Sequence, residues 1–502
     1  MINLTFPFPK LNYPDNYSVR ISGEQLKGLA KTAFYTHTSP TAEKIHRASQ
    51  FALIPWKKSC QLIASSLQPR PGAKKDDGSY LTSRPVRSLM GVAGVLMIIG
   101  STAFAILTSP VHIAALCVYR SRPVISYIDN SDKTKPQVLP KLLQEQPFHV
   151  RSHNLGFVLE TMSIIGDLRP VCERAHEVAD NVLNDPHQPD LILFNEAFHE
   201  DGTRILCDKL KDQYHYILSG VLPSGSGFNS GALVASKHPI LDVQFHCLEH
   251  NIGPERLSPK GVIRVKIQTA EGPIHVYSAH TQALIGKDRA DARFKQLIQI
   301  DSLMKKDFEE DHIPQILTGD LNTSIITAWG ESNIADENNP ELKVQKQLNN
   351  SFVDLYLNDH DAYNGLRTSG TPQFLNSDNQ RMGLSGRLPE PSGSWYIGPF
   401  AEPTTFLASN VFNHNQKDRQ KNQYSAPPAN GIKVEAPATW GTGQWRTRQP
   451  ANTSRFDYVV VPKHCASLLD GRVEIRRIVV PEGAQSASTD HLPVDAVIWR
   501  KA

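Results

Sequence analysis

The stretch that decides the fold is "ILTGDLNTS", residues 316–324. Apolar and β-branched residues lead into Gly319, and two polar side chains, Asp320 and Asn322, follow one residue apart. A short apolar run bounded by turn-forming residues is typical of a buried strand. Asp and Asn are also common turn formers, so the stretch by itself leaves the purpose of this polar pair open.

The same arrangement recurs along the chain from about residue 146. Runs such as "DLILFNEA" (190–197) and "PIHVYSAH" (273–280) are typical of half-buried or buried strands. Between them, "ARFKQLIQIDSLMKKDF" (292–308) has the spacing of an amphipathic helix. Short strands alternating with helices predict an α/β fold.

Polar residues stand at or near the ends of these strands. Any one of them has an ordinary explanation, because Asn and Asp form turns and a single His is usually a surface or hydrogen-bonded core residue. Their ordered recurrence after apolar strands predicts instead that they converge on one site. The candidates are Asn154, Glu196, His280, Asp320, Asn322, Asp457, Asp490 and His491.

Composition limits the class of protein. The chain has 502 residues, 40% apolar content and a net charge of +3, which describe a globular protein and give no indication of nucleic-acid binding. The six cysteines show no CxxC pair, which argues against a disulfide framework or a structural zinc site.

The N-terminal part differs from the rest in charge and hydropathy. Residues 1–87 hold 13 Lys and Arg against 5 Asp and Glu, and residues 88–119 hold none of these four types. About 20 apolar residues suffice to cross a bilayer, so we expect 88–119 to be a membrane span or a re-entrant hairpin. Arginines flank it on both sides, so the positive-inside rule does not choose between the two topologies.

The basic region either favours an anionic, cytoplasmic leaflet or is a solvated segment. The expected organisation is therefore a basic region (1–87), a hydrophobic membrane segment (88–119), a linker (120–145) and a catalytic domain (146–502). Residues 364–438 are rich in Pro, Gly, Ser and Asn, and we expect them to form an irregular insertion.

The series "NEAF", "NSGALVASKHPI", "SAHTQA", "TGDLN", "RFDYVV" and "STDHLPV" resembles the endonuclease/exonuclease/phosphatase superfamily. The resemblance implies a DNase I-like four-layer α/β sandwich, in which two packed mixed sheets are flanked by helices. Within the superfamily, "FNSGALVASKHPILDVQFHC" followed by "SPKGVIRVKIQ" is similar to the neutral sphingomyelinases, above all their membrane-anchored branch.

The resemblance implies a metal centre and a general base. Glu196, with Asn154 beside it, supplies the oxygen ligands that suit Mg²⁺, with Mn²⁺ as the alternative. His491 is the candidate base that takes a proton from the attacking water. Asp490 fixes the motif around it.

The resemblance also places four residues around the phosphate. His280 donates a hydrogen bond to it, and Asp457 orients the His280 ring. Asp320 positions the attacking water, and Asn322 holds a phosphate oxygen.

Three further residues are candidates for substrate binding: Asn229, Lys260 and Gln282. Asn229 is equally well explained as a turn residue. Lys260 matches a lysine of the anchored sphingomyelinases, which carry an aspartate five residues before it. This chain has Glu255 there, one methylene longer.

The expected function is hydrolysis of sphingomyelin to ceramide and phosphocholine at a membrane. The expected partners are a membrane lipid and an anionic membrane surface, with no nucleic acid and no obligate protein partner. A nuclease, an inositol-phosphate phosphatase and a catalytically inactive membrane scaffold are the alternatives. The nuclease is disfavoured by the charge of residues 88–502, which sums to 3 − 8 = −5.

Overall fold

The computed structural model describes most of the chain in segments. These are residues 17–29, 40–67, 84–111, 113–114, 117, 125–132, 139–158, 163, 170–221, 228–283, 287–323, 340–355, 374–375, 381–382, 457–475, 491 and 493–501. The predicted insertion at 364–438 lies outside them, apart from a short strand pair at 374–375 and 381–382, and Asp490 also lies outside.

The strands form two large sheets and one short pair. They are β1 Ser18–Ser22, β2 Ser126–Asp129, β3 Phe148–Phe157, β4 Leu191–Ala197, β5 Tyr216–Ser219, β6 Leu233–Ser236, β7 Ile240–Cys247, β8 Gly261–Thr269, β9 Gly272–His280, β10 Gln315–Asp320, β11 Phe352–Asp354, β12 Phe374–Leu375, β13 Arg381–Met382, β14 Asp457–Pro462, β15 Leu469–Ile475 and β16 Val494–Arg500. The first sheet has the order β1-β7-β8-β9-β10-β14-β11, and the second has the order β15-β16-β3-β4-β6-β5-β2.

The helices follow the apolar periodicity of the sequence. In the "VCERAHEVADNVL" helix, for example, Val171, Ala175, Val178 and Val182 recur on one face and are all buried. The helices are α1 Gly23–Leu29, α2 Pro40–Leu67, α3 Arg84–Leu107, α4 Val171–Leu183, α5 Glu200–Leu210, α6 Lys287–Asp311 and α7 Pro340–Ser351, with 3₁₀ turns at Gly253–Leu257 and Lys463–Cys465.

The described part of the chain forms three hydrophobic cores, which define the layers. The largest lies between the two sheets and includes Val150 of β3 and Val276 of β9. A second packs α4 and α5 on the outer face of the second sheet, and a third packs α6 and α7 on the outer face of the first. The order helix, sheet, sheet, helix confirms the predicted four-layer α/β sandwich.

Strand register brings distant polar residues together. The parallel pair β9–β10 sets His280 opposite Asp320, and the antiparallel pair β10–β14 sets Asp320 opposite Asp457. In the second sheet, parallel β3 and β4 set Asn154 opposite Asn195, which precedes Glu196. The candidate residues of both sheets therefore lie at one end of the sandwich.

The N-terminal region takes part in the sandwich, so the domain boundary expected at residue 146 is too late. Strand β1 pairs with β7 from Ser18↔His246 to Ser22↔Asp242, and β2 pairs with β5 from Ser126↔Ser219 to Asp129↔Tyr216. Both strands are short, and their apolar patterns are too brief to distinguish from loops. Helices α2 and α3 are thus connected at both ends to edge strands of the catalytic fold.

The apolar segment expected at 88–119 corresponds largely to α3. None of the described helices has the length and apolar character that crossing a bilayer requires. The transmembrane part of the expectation is therefore not supported.

Candidate active site

The ends of β4 and β10 have unusual backbone geometry. Glu196 has φ 59° and Asn322 has φ 48°, in the left-handed region that residues other than glycine rarely adopt. Gly319 has φ 122°, and a Cβ there would clash with the Ala279 carbonyl on β9. Such strained conformations concentrate at functional sites, and here they turn polar side chains into the gap between the sheets.

His491 and Asp457 form a buried pair. His491 Nδ1 lies 2.7 Å from Asp457 Oδ2, and both side chains are almost fully buried. This corrects the expected partner of Asp457, because the carboxylate orients the ring of His491 and not that of His280. When Nδ1 carries the proton, its N–H donates a hydrogen bond to Asp457. Nε2 is then unprotonated and is the basic atom. His491 Nε2 lies 3.9 Å from Asp320 Oδ2.

Asn154 connects two carboxylates. Its Nδ2 donates to Glu196 Oε1 at 3.1 Å and to Asp320 Oδ2 at 2.9 Å, while its Oδ1 accepts from the Gly156 N–H at 3.0 Å. In this orientation the amide holds the carboxylates at their spacing. The predicted role of Asn154 as a metal ligand through its oxygen stays a prediction.

The neighbouring carboxylates of the site affect the pKa of Asp320. Burial, together with the charges of Asp457 and Glu196, raises the pKa of Asp320 to about 7, although His491 acts in the opposite direction. Among the residues that the structure describes, two groups have ligand atoms within 4.8 Å of one another. They are Glu196, His280 and Asp320, and Asp320, Asp457 and His491. A divalent cation would neutralise this cluster, and carboxylate oxygens are the ligands that Mg²⁺ prefers. The residues therefore fit a hard cation.

Lys260 lies against His280 in the buried site. Its Nζ is 2.8 Å from His280 Nε2 and 2.8 Å from Glu255 Oε2. Glu255 Oε2 in turn accepts from the Ala283 N–H at 3.0 Å. Glu255 stands where the anchored sphingomyelinases have an aspartate, and its longer side chain still contacts Lys260.

His280 is a neutral histidine in this environment. Burial, followed by the positive charges of Lys260 and His491, lowers its pKa well below the ordinary value. Because Lys260 Nζ can only donate a hydrogen bond, His280 Nε2 is the acceptor in this contact. His280 Nε2 also lies 3.5 Å from Glu196 Oε1, so it belongs to the cluster that the sequence predicted.

Asn322 lies at the edge of the cluster. Its backbone N–H donates to Asp320 Oδ1 at 2.9 Å, and its Nδ2 donates to the Thr281 carbonyl at 3.2 Å. The Asp320–Asn322 pair therefore forms a turn and also lies at the site. The predicted contact of Asn322 with a phosphate oxygen remains a prediction.

Two predicted substrate residues are engaged with the backbone. Gln282 Oε1 accepts from the Ile252 N–H at 2.8 Å, and its Nε2 donates to the Ala283 carbonyl. Its predicted contact with substrate stays a prediction. Asn229 accepts from the Gly231 N–H at 2.7 Å, which is the turn geometry that the sequence left as an alternative.

Comparison with known proteins gives partial matches. No family model matches the chain. It is 30% identical to a sphingomyelinase C of Listeria ivanovii over 153 residues, which cover 27% of this chain and 45% of that one. It is 30% identical to human sphingomyelin phosphodiesterase 3 over 95 residues, 18% of this chain and 14% of the relative. The resemblance to the sphingomyelinases is confirmed.

Among solved structures, a beta-toxin mutant of Staphylococcus aureus with bound magnesium ions matches with a TM-score of 0.41 and 16% identity, over 70% of this chain and 99% of that one. The chain spans less than half the length of the two sphingomyelinase relatives described above.

Two residues next to the sphingomyelinase motifs were missed by sequence reasoning. Phe198 closes "NEAF" and Phe228 opens "FNSG", and both rings are half-buried near the cluster. The Phe198 ring centroid lies 6.5 Å from that of His280. Adjacency to Glu196 and Asn229 was the available signal, but an aromatic residue after a strand is ordinarily a packing residue.

Proposed function

We propose that the chain is a Mg²⁺-dependent phosphodiesterase that hydrolyses sphingomyelin to ceramide and phosphocholine. The observation that carries the proposal is the His491–Asp457 pair at 2.7 Å, facing a buried carboxylate cluster at the meeting point of the two sheets. Similarity to sphingomyelinases supports the choice of this diester over others.

The reaction uses His491 as the base. Asp457 holds the ring so that Nε2 takes a proton from a water molecule, whose oxygen forms a bond to phosphorus. The bond from phosphorus to the ceramide oxygen breaks, and that oxygen is protonated as it leaves. Asp320, 3.9 Å from Nε2, lies where it can hold the attacking water.

Glu196 and Asp320 would hold the cation, with Asn154 fixing their spacing. When bound, Mg²⁺ supplies neutralisation of negative charge on the phosphoryl oxygens. Lys260 adds a buried positive charge on the side of His280.

The substrate implies that the protein acts at a membrane surface. Helix α3 exposes an apolar stripe with helical spacing, formed by Leu89, Val92, Leu96, Ile99 and Leu107. We propose that this stripe rests in the lipid interface, assisted by the basic charge of residues 1–87 at the anionic cytoplasmic leaflet.

The test measures phosphocholine release from sphingomyelin vesicles by the full chain. The expected result is release that requires Mg²⁺ and stops when EDTA is added. Cleavage of plasmid DNA without any lipid hydrolysis would contradict the substrate class and favour a nuclease.

A further inference from the structure

Two aromatic rings, Phe198 and Phe228, form a wall beside the candidate active site. Their centroids are 6.0 Å apart at an interplanar angle of 84°, an edge-to-face pair. Both rings are half-buried, and neither belongs to the three hydrophobic cores formed by the described residues. Core packing therefore does not account for the pair, although it lies next to buried catalytic candidates.

The wall is held rigidly by the backbone beneath it. The Ala197 N–H donates to the Gly231 carbonyl at 2.9 Å, and Asn229 Nδ2 donates to the Ala197 carbonyl at 3.4 Å. A Cβ on Gly231 would lie 2.6 Å from the Phe198 ring, so glycine lets this ring pack directly on the backbone. A rigid aromatic surface loses little entropy when a ligand binds to it.

The chemistry of the wall selects a particular ligand group. Phenylalanine rings offer no hydrogen-bond donor or acceptor, but their faces attract cations. A primary ammonium loses its hydrogen bonds to water against such a surface. A quaternary ammonium donates no strong hydrogen bonds and loses much less, which is why aromatic cages recognise it.

We propose that Phe198 and Phe228 form the subsite for the quaternary ammonium of the diester and so determine head-group specificity. This inference rests on the proposed function and names the part of the substrate that the wall takes. Phe198 is two residues beyond Glu196, and its ring is 6.5 Å from the His280 ring. An ethylene link joins the choline nitrogen to the phosphate, so the nitrogen stays near the phosphate site, whereas the lipid chains begin farther away.

The test compares sphingomyelin with ceramide phosphoethanolamine, which differs only in the three N-methyl groups, in the same mixed micelles. The variants are Phe198→Leu and Phe228→Leu, with Phe198→Tyr to restore an aromatic face. Phe294→Leu is the matched control, because Phe294 already packs against Lys343 at 4.0 Å on the first sheet's outer side. The melting temperature of each variant reports whether it folds.

We expect each leucine variant to lower kcat/KM for sphingomyelin by about 2- to 30-fold, the range of one cation–π contact. Turnover of the ethanolamine lipid should stay nearly unchanged, and the tyrosine and Phe294 variants should keep the wild-type ratio. Equal losses on both lipids, or losses that follow acyl-chain length, would overturn the proposal.

A binding measurement separates this inference from the proposed function. Calorimetric titration of the wild-type protein with phosphocholine and with phosphoethanolamine needs no turnover. Tighter binding of phosphocholine, weakened by Phe198→Leu, supports the subsite even where neither lipid is hydrolysed. Equal binding of the two compounds overturns the subsite, whereas absence of hydrolysis with intact discrimination overturns only the proposed reaction.

Discussion

Strand β3 contributes to two buried polar clusters that differ in what contacts their carboxylates, a guanidinium in one and a neutral amide in the other. On one side, Arg151 bonds Asp495 with Nε at 2.5 Å and a terminal nitrogen at 2.7 Å, and it also bonds Asp185 at 2.6 Å. Three residues along the strand, Asn154 instead holds Glu196 and Asp320 together. We call the first the arginine cluster and the second the carboxylate cluster.

The pKa shifts of the two clusters run in opposite directions. Burial alone would raise the pKa of Asp495, but hydrogen bonds from Arg151 and His149 hold it below its ordinary value. The pKa of Asp320 rises, because burial and neighbouring carboxylates act together. Removing one partner of a buried ion pair leaves the other charge uncompensated and strongly destabilises the fold, whereas removing one of several neighbouring carboxylates relieves repulsion. We therefore expect substitutions in the arginine cluster to act on stability and substitutions in the carboxylate cluster to act on the proposed reaction.

The largest expected effect concerns His491, the proposed general base beside the carboxylate cluster. His491→Ala should lower sphingomyelin turnover by about 10²–10⁴-fold, the usual contribution of a general base. The measurement is the initial rate of phosphocholine release at saturating lipid.

The matched control is His238→Ala. His238 also pairs with a carboxylate, Asp190 at 3.1 Å, but in the turn between β6 and β7 at the opposite end of the strands. Turnover by the His238→Ala variant should match that of the wild type. Near-normal turnover of the His491 variant would remove this residue from the role.

The next expected effect is a loss of stability when the arginine cluster is disrupted. Asp495→Asn should reduce the free energy of unfolding by about 3–5 kcal/mol, because it leaves Arg151 buried with an incomplete set of partners. Urea denaturation at pH 7 measures the loss. A change below about 1 kcal/mol, the range of an exposed ion pair, would show that the cluster is not structural.

The converse substitution in the carboxylate cluster should stabilise the protein. Asp320→Asn, measured with EDTA present, removes like-charge repulsion and should raise the free energy of unfolding at pH 7 by an amount on the order of a few kcal/mol. Phosphocholine release by this variant should be lost, because the carboxylate no longer holds water or cation. A variant that is both less stable and inactive would contradict the proposed division between the two clusters.

The smallest effect is a difference in pH dependence. Asp320 has a folded pKa of about 7, above the unfolded value of 3.8, so the fold loses stability as pH rises between those values. The advantage of Asp320→Asn over wild type should therefore grow from about pH 4 to pH 7 and then level off.

The contribution of Asp495 to stability changes with pH in the opposite direction. Its folded pKa is depressed, so its contribution is present above the unfolded pKa and is lost as pH falls through the folded one. The deficit of Asp495→Asn should shrink below about pH 4. Urea midpoints measured across pH 3–8 check both curves, and parallel curves for the two variants would contradict the assignment.

Much of the fold was predictable because periodicity and strand-end polarity are local signals. The apolar runs around Glu196, His280 and Asp320 predicted β4, β9 and β10, and the four-layer order followed from the family resemblance. Strands β1 and β2 were not predictable, since runs of 5 and 4 residues are too short for their apolar pattern to distinguish a strand from a loop.

The sequence predicted which residues form the site but not which of them contact one another. Sequence order cannot say which carboxylate reaches which ring, so the partner of Asp457 was wrong until register and loop geometry placed His491 against it. Gln282 follows a catalytic motif, yet local geometry directs its side chain to the Ile252 backbone. Phe198 was missed because only the three-dimensional arrangement shows it beside His280.

The central claim is that the carboxylate cluster binds a divalent cation, and direct Mg²⁺ binding tests it without any lipid. Isothermal titration of EDTA-stripped, dialysed protein should give one saturable binding event in the wild type. Glu196→Gln should abolish it, and Asp185→Asn, which removes a carboxylate from the arginine cluster, should leave it unchanged. Equal Mg²⁺ binding by the wild type and the Glu196 variant, or no binding by the wild type, would contradict the account.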